Sequence, residues 1–541
     1  MTKEEFIQQG FNVIKEEKGN ALLSFLQQNY PSVIKDDEIN LTELKSAAGL
    51  PVDDKVNGYG LNFIGRNVAK AKYAQKTDKA LKINNAFSRD FDKTQNMVIK
   101  GDNLDALKLL KSHYSGQIKC IYIDPPYNTD SESFVYPDKF NKEEAEVLGL
   151  ANITETDMER LEFSFKSKKS HNGWLSFMYP RLMLARDLLS DDGVIFISID
   201  DNEQANLKLL CDDIFGENNF VSNSILVNNR GGRDYGGIAK QHEYILIYAK
   251  SGEDELNLIE EQDKKFQYED EIGGFNLMEL RNRNVKFNDK NRPNLCYPFF
   301  VNPNNKDKNS LLEIALEAKD GFIEVMPAKS QGIQTVWRWG KEEKSRQNLN
   351  KEIFGKENQN GGYMVVQKYR KTTKMQRSIW DDKEFVNERG TEALKELFGE
   401  SSFPYPKSVF TIKRVLELAT SKTSTILDFF AGSGTTGHAV MELNAEDGGN
   451  RKFILCQIDE PIKEDKPAYK FCEDNHLPPV ISSITCERLN RAGNKIKAET
   501  GKDIDIGYKV FDLTQSPHLT LNADNQAELF DNKELTPLDR I

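Results

Sequence analysis

The 541-residue sequence is poor in cysteine, histidine and long apolar runs, and each shortage excludes something. Its six cysteines (Cys120, Cys211, Cys296, Cys456, Cys472, Cys486) stand far apart with no C-x-x-C spacing, and its six histidines are equally scattered. That pattern supplies neither a disulfide framework nor a zinc site, so no metal is expected. No stretch of eighteen apolar residues occurs, which predicts no membrane-spanning helix. The first twenty residues alternate charged and apolar positions and lack the apolar core of a signal peptide. Free thiols without an export signal predict a cytoplasmic protein with no membrane partner. Positive charge is also in deficit, with 73 basic residues against 85 acidic ones and a net charge of −12. Such a chain is not a dedicated polyanion binder unless its basic residues gather locally.

What is present reads as a soluble globular chain of several units. Residues 1–95 are expected to be mostly helical, because Phe6, Phe11, Ile14, Leu22, Leu23 and Leu26 recur at helical spacing. No chemical motif lies there, and a packing or dimerisation role is the plain reading. From Met97 the pattern alternates. Asn103 is placed to cap a helix bearing Leu104, Leu107 and Leu110. Ile118–Ile123 and Gly193–Ile199 read as buried strands, with a helix over about Trp174–Leu189 between them and another over Asn202–Leu210 after them. Strands at Phe220–Val227 and Tyr244–Ala249 flank a Gly-rich loop. Alternating strands and helices predict an α/β fold, a doubly wound, mostly parallel Rossmann-like sheet.

Residues 251–403 break the rhythm. They open with an acidic run, then carry basic residues in clusters: eleven basic against four acidic from Arg338 to Arg377, and five basic against Asp289 from Arg281 to Arg292. Trp337 and Trp339 lie among them. A solvated lysine-rich face explains any one run, but the combination inside one insert points to phosphate contact. Arg281, Arg283, Arg338, Lys368, Arg370, Lys371, Lys374 and Arg377 are the candidates. The α/β pattern resumes over 404–515, with a helix at Ser408–Ala419 and strands at Thr425–Leu427 and Phe453–Ile458, before a polar tail over 516–541.

Two motifs carry chemistry. Asp428 to Gly437, DFFAGSGTTG, places Gly432, Gly434 and Gly437 in a G-x-G-x-x-G spacing between a strand and a helix. A tight turn would explain it, and so would a dinucleotide site. His438 stands where a phosphate-binding loop needs lysine. A cofactor with an adenosine but no phosphates would suit Asp428 better than a pyrophosphate would. Asp124-Pro125-Pro126-Tyr127 decides among these. It follows a buried strand directly, at the edge where open α/β sheets bind ligands. A Pro-Pro turn closing a strand needs neither the Asp nor the Tyr. Asp124 and the Pro125 carbonyl can accept both hydrogens of an exocyclic amine, and Tyr127 offers a face to a planar base.

These two motifs resemble those of amino-methylating DNA methyltransferases that use S-adenosyl-L-methionine. The tetrad precedes the glycine loop by about 300 residues, with a basic insert between, as in the β group of these enzymes. The segments KGDNLDALKLL, IYIDPPYNTDSESFVYPDKF, WLSFMYPRL, GVIFISIDDNE and HEYILIYAK are similar to the modification subunits of type III restriction–modification systems. The resemblance implies a catalytic half over 96–250, an inserted target-recognition domain over 251–403 and a cofactor-binding half over 404–515, in a chain that ends sooner than is usual in that family. It implies methylation of adenine N6 in double-stranded DNA after base flipping, with Asp124, Pro125, Pro126 and Tyr127 as the catalytic residues. Cofactor contacts would come from Asp102, Pro404, Lys407, Asp428, Phe429, Phe430, Ala431, Gly432, Ser433, Gly434 and Thr435, and from Gln457 with Asp459 or Glu460 where the ribose ligand belongs. It further implies a homodimer and a restriction helicase–nuclease partner. Cytosine-N4 methylation on the same scaffold, a non-catalytic DNA-recognition subunit and an NAD-linked oxidoreductase are the rival readings.

Overall fold

Short apolar runs, each stopped by a glycine, a proline or a helix cap, set the strands of a large sheet. A computed structural model describes residues 61–129, 170–232, 237–251, 256–261, 264–399 and 403–516, with short pieces outside these ranges. In chain order the first elements are α1 (Arg66–Ala74), β1 (Lys79–Ile83), β2 (Met97–Lys100), α2 (Asn103–Tyr114) and β3 (Ile118–Ile123). Next come α3 (His171–Leu188), β4 (Leu189–Ile199), α4 (Gln204–Phe215), β5 (Phe220–Val227) and β6 (His242–Ala249). A separate compact unit, Leu258–Met375, follows. It contains β7 (Tyr268–Asp270), β8 (Gly273–Glu279), β9 (Phe299–Lys306), β10 (Leu312–Ala315), β11 (Ile323–Val325), β12 (Ile353–Glu357) and β13 (Tyr363–Tyr369). The chain then returns to the larger unit through β14 (Ile379–Trp380), α5 (Asn387–Phe398), α6 (Val409–Ala419), β15 (Thr425–Asp428) and α7 (Thr435–Asp447). It closes with β16 (Lys452–Gln457), α8 (Pro467–Asp474), α9 (Ile481–Thr500) and β17 (Lys509–Gln515).

The larger unit is built on one ten-stranded sheet, ordered β14-β5-β6-β4-β3-β15-β16-β2-β17-β1. The run from β4 through β3, β15, β16 and β2 to β17 is parallel throughout. Antiparallel pairs occur only among β4, β6 and β5, and between β17 and β1. This is the expected doubly wound, mostly parallel architecture. Strands buried on both faces must be apolar on both faces, and Ile121, Ile123, Ile195, Ile197 and Leu427 are fully buried in one cluster with Trp174, Met178 and Leu182 of α3. The decisive pairing is β15 beside β3, with Ile426 opposite Cys120 and Leu427 opposite Ile121. The second half of the chain is thereby threaded between two strands of the first.

Several details differ from the sequence reading. Asp102 caps α2, its Oδ1 accepting from the Leu104 and Asp105 amides, while Asn103 enters the helix. An Asp one residue earlier has the extended backbone that an N-cap requires. Residues 61–95 are not purely helical, because β1 pairs antiparallel with β17 at the sheet edge. Its Lys79 and Lys82 are the charges by which edge strands avoid pairing with other chains. Phe6, Phe11, Ile14, Leu22 and Leu23 lie outside the described residues, as do most residues beyond Ser516. Residues 376–403, expected within the insert, belong to the larger unit as far as they are described: β14 extends its sheet, and α5 buries Leu394 and Phe398 against Phe471 and Ile484.

The smaller unit holds a seven-stranded sheet, β7-β8-β13-β12-β10-β9-β11, antiparallel at every pairing. Trp337 is core here. It is 2% exposed, its Nε1 donates to the Tyr297 carbonyl at 2.7 Å, and it meets Phe299 edge-on.

In α5, Gly390 lies against the segment that leads into α6. A Cβ there would fall 2.0 Å from the Pro406 carbonyl oxygen and 2.8 Å from that of Lys407. Neither backbone atom can swing aside. Gly390→Ala should therefore lower unfolding stability by about 1–3 kcal/mol in a denaturant titration, as overpacking does. An unchanged midpoint would show that the two segments are not tightly seated.

Candidate active site

Parallel strands bring their carboxyl ends to one edge, so β3, β15, β16 and β2 deliver Asp124, Asp428, Gln457 and Asp102 to neighbouring positions. The motifs far apart in sequence become adjacent through the β3–β15 ladder. The Asp124 turn is clamped from two sides. Trp174 Nε1 of α3 donates to the Pro126 carbonyl at 2.7 Å. Asn128, in the left-handed region at φ 60°, donates from Nδ2 to Glu203 Oε1 at 2.6 Å. Glu203 is completely buried and also accepts from Asn206 Nδ2 at 2.8 Å.

Around Asp124 lies a compact polar cluster. Tyr127 Oη donates to Asp124 Oδ1 at 2.8 Å. Lys407 Nζ donates to Tyr127 Oη at 2.7 Å and to Glu243 Oε1 at 2.8 Å, and stands 3.3 Å from Asp124 Oδ1. Asn228 Nδ2 donates to Glu243 Oε2 at 2.9 Å. These contacts leave Asp124 Oδ2 and the Pro125 carbonyl without a hydrogen-bond donor among the described residues. Burial pushes the Asp124 carboxyl above the usual carboxylate range; Lys407 opposes that and Glu243 adds to it. Burial would lower the Lys407 ammonium, but Asp124 and Glu243 together hold it above the usual lysine range.

The glycine loop forms the second half. Asp428 Oδ1 accepts from the Phe430 amide at 3.0 Å and Oδ2 from Thr436 Oγ1 at 2.5 Å. Burial is the main reason its carboxyl is pushed up to about 7. Gly432 and Gly434 take positive φ values of 51° and 83°, which other residues adopt only under strain. The Ala431 amide bonds to the Cys456 carbonyl, the Gly432 amide to Gln457 Oε1 and the Gly434 amide to the Ala431 carbonyl. The amides of Phe430, Ala431, Gly432 and Gly434 are thus engaged within the chain.

The structure sorts the remaining candidates. Phe429 is core, and its carbonyl accepts from Asn103 Nδ2 at 2.8 Å. The Ser433 and Thr435 hydroxyls both accept from Arg488 Nη1 at 2.7 Å beneath the loop, so they brace it from inside. Phe430 is partly buried against the core cluster. Asp102 retains 31% exposure and faces the fully buried Arg181. Asp459 is drawn to Lys100 at 3.3 Å and accepts from Ser482, whereas Gln457 touches the loop itself. Pro404 is exposed. Lys407, expected among the cofactor contacts, reaches Tyr127 and Asp124.

Glu243, Asn228, Arg181 and Arg488 were not anticipated. Glu243 was detectable in principle: an acid inside the strand HEYILIYA is buried only when it is paired. In the smaller unit, Arg281 is tied to Glu279 at 2.8 Å, and Lys368 and Arg370 to Asp270 at 2.6 and 2.7 Å. These three meet carboxylates inside the unit. Arg283 also touches Glu279 and Lys374 lies near Glu261, but both are exposed, as are Arg338 and Lys371. Arg377, in the larger unit, is exposed too.

Residues 118–466 match the DNA methylase family of N6/N4 methyltransferases. The chain is 34% identical over 538 residues to the type III restriction-modification enzyme EcoPI Mod subunit of Escherichia phage P1, covering 95% of this chain and 79% of that one. It is 34% identical to the StyLTI Mod subunit of Salmonella typhimurium, covering 93% and 75% of the two chains. It is 35% identical to the type II methyltransferase M.KpnI of Klebsiella pneumoniae, covering 77% and 92%.

Asp428 makes the energetics of this edge measurable. Its native value of about 7 lies above its ordinary 3.8, so the folded state holds more protons and stability falls as pH rises between the two. Asp428→Asn removes that term. The variant should melt above the wild type at pH 8, with the gap closing as pH falls towards about 4. Equal pH dependence of the two proteins would contradict the burial of an ionisable carboxyl here.

Proposed function

Because this chain belongs to the family of DNA methylases that includes the modification subunits of type III restriction–modification systems, we propose that it methylates adenine N6 in double-stranded DNA. The observation that carries methylation of an exocyclic amino group is Asp124 Oδ2 beside the Pro125 carbonyl, neither with a donor among the described residues, two acceptors for the two hydrogens of one amine. An aspartate at 124 in place of a serine favours adenine over cytosine by the family resemblance. S-Adenosyl-L-methionine, when bound, supplies a methyl group already activated on a sulfonium. Its place is the edge lined by Asp102, Asp428, Phe430, Gly432 and Gln457. Two features fit an adenosine without phosphates: the Phe430, Ala431, Gly432 and Gly434 amides are engaged within the chain, and the Asp428 carboxyl lies buried at the root of the loop.

Adenine N6 is a weak nucleophile because its lone pair is delocalised into the ring. Hydrogen bonds from both N6 hydrogens to Asp124 and the Pro125 carbonyl favour a pyramidal nitrogen and align it for in-line attack. As the N–C bond forms, the electron pair of the C–S bond returns to sulfur, and positive charge moves to N6. Asp124 stabilises that charge, and one proton then leaves N6. A base stacked in a duplex cannot reach this edge, so it must flip out, and stacking on Tyr127 offsets part of the few kcal/mol of unstacking.

Target choice belongs in this reading to the Leu258–Met375 unit, through its exposed cations Arg283, Arg338, Lys371 and Lys374, with Arg377 just beyond it. A second copy of this chain and a restriction subunit are its protein partners, and the cytoplasm is its compartment. Among the described residues no helix is long and apolar enough to cross a membrane.

Asp124→Ala should abolish transfer of tritiated methyl to DNA while calorimetric binding of S-adenosylmethionine is retained. Transfer at the wild-type rate would overturn the assignment. DNA affinity should fall steeply with salt despite the net charge of −12. Arg338→Ala and Lys371→Ala should each reduce the slope of log affinity against log salt by roughly 1. Unchanged slopes would move DNA contact away from these residues.

A further inference from the structure

Lys407 and Glu243 form a buried ion pair beside Asp124 that amine recognition does not require. Glu243 is 3% exposed on β6, and Lys407 lies in the segment before α6. Burying both ions carries a desolvation cost that hydrogen bonds only partly repay. Lys407 alone would already neutralise Asp124. A neutral pocket, however, is poorly suited to a reaction that places positive charge on a substrate nitrogen. One ammonium shared by two carboxylates leaves the pocket with a net charge of −1. The distances show how the cation is shared: Lys407 Nζ is 2.8 Å from Glu243 Oε1 but 3.3 Å from Asp124 Oδ1. Asn228 anchors the far oxygen of Glu243 at 2.9 Å, so the carboxylate that holds the lysine is itself held.

We propose that Glu243 is a positioning residue for methyl transfer: it draws the Lys407 ammonium off Asp124 and keeps the amine-binding pocket at one net negative charge. The inference rests on the methyltransferase reading above. An incoming amino group would otherwise compete with the ammonium of Lys407 for Asp124. With Glu243 present, the lysine stays tethered to it and to Tyr127 Oη, while Asp124 Oδ2 stays available. As N6 gains the methyl group and its positive charge, the surplus carboxylate charge opposes that cation until N6 releases a proton.

Charge counting makes the test specific. Glu243→Gln leaves Asp124 and Lys407, a neutral pocket. Glu243→Gln with Lys407→Met leaves Asp124 alone, again at −1. Single-turnover transfer of tritiated methyl to DNA should therefore slow by roughly tenfold to a hundredfold in E243Q. The double variant should recover most of that loss, and Glu243→Asp, which keeps the charge, should stay above E243Q. S-Adenosylmethionine affinity and melting temperature, measured alongside, separate a slowed transfer step from lost binding or folding.

The pH profile gives a second readout. The groups facing Asp124 are Tyr122, Tyr127, Glu243, Lys407 and Asp428. Removing Glu243 removes a like charge, so the acidic limb assigned to Asp124 should move down in E243Q. Removing Lys407 alone should move it up. A merely structural pair would make the double variant no better than the worse single one. Wild-type protein that fails to methylate adenine would defeat the functional reading itself. An active wild type with E243Q at full rate, or with a double variant no faster than E243Q, would overturn this inference alone.

Discussion

The parallel pairing of β15 with β3 is the constraint on which the rest of the structure depends. It sets Leu427 opposite Ile121, and so brings Asp428 and Asp124 to the same edge of one sheet, although about 300 residues separate them. Nothing local in either segment encodes that proximity. It follows from two apolar strands that are each buried on both faces and are satisfied only by joining a single sheet. The long excursion between them costs little in loop entropy, because closure entropy grows only logarithmically with length, and much of the excursion is itself folded, Leu258–Met375 as a unit of its own.

At that edge, burial is the source of the chemistry. Asp124, Glu243, Lys407 and Asp428 would each be costly in isolation, and each is held by named donors or by an opposite charge. The division of labour follows from position. At the end of β3, one carboxylate oxygen of Asp124 has no donor among the described residues while the other is tied down by Tyr127 and approached by Lys407. At the end of β15, both oxygens of Asp428 are engaged in shaping the glycine loop. Arg488 supports that loop from below, with its guanidinium pulled down to about 9 by burial. Arg181, from α3, lies alongside and links Asp102 to Asn103 and through it to the Phe429 carbonyl. A rigid loop above a polar underlayer is what close approach of a ligand to backbone demands.

Much of this was legible in the residues. The strands Ile118–Ile123 and Phe220–Val227 form as read, the first as a largely apolar run stopped by Pro125 and Pro126. Asp124 and Tyr127 announced themselves because a Pro-Pro turn needs neither residue type, and the glycine loop did so by its spacing between a strand and a helix. Other features were hidden for physical reasons. Lys407 was expected among the cofactor contacts through the family resemblance alone, and its contacts with Asp124, Tyr127 and Glu243 come from segments far away in the chain that sequence order does not reveal. The basic clusters of the insert showed charge without partners, because the matching acids, Asp270 and Glu279, come from other parts of the antiparallel sheet or from just before the cluster. Helix α5 was missed inside an irregular, polar stretch where only a few residues such as Leu394 and Phe398 face the core. Glu243 was passed over because the strand was read as beginning at Tyr244, one residue after it, whereas it begins at His242.

The most direct measurement is nucleoside mass spectrometry of DNA incubated with the purified protein and S-adenosylmethionine. N6-methyladenine, absent when the cofactor is omitted, is the expected product. N4-methylcytosine as the sole product, or unmodified DNA from folded protein that binds both cofactor and duplex, would contradict an adenine amino group gripped at Asp124.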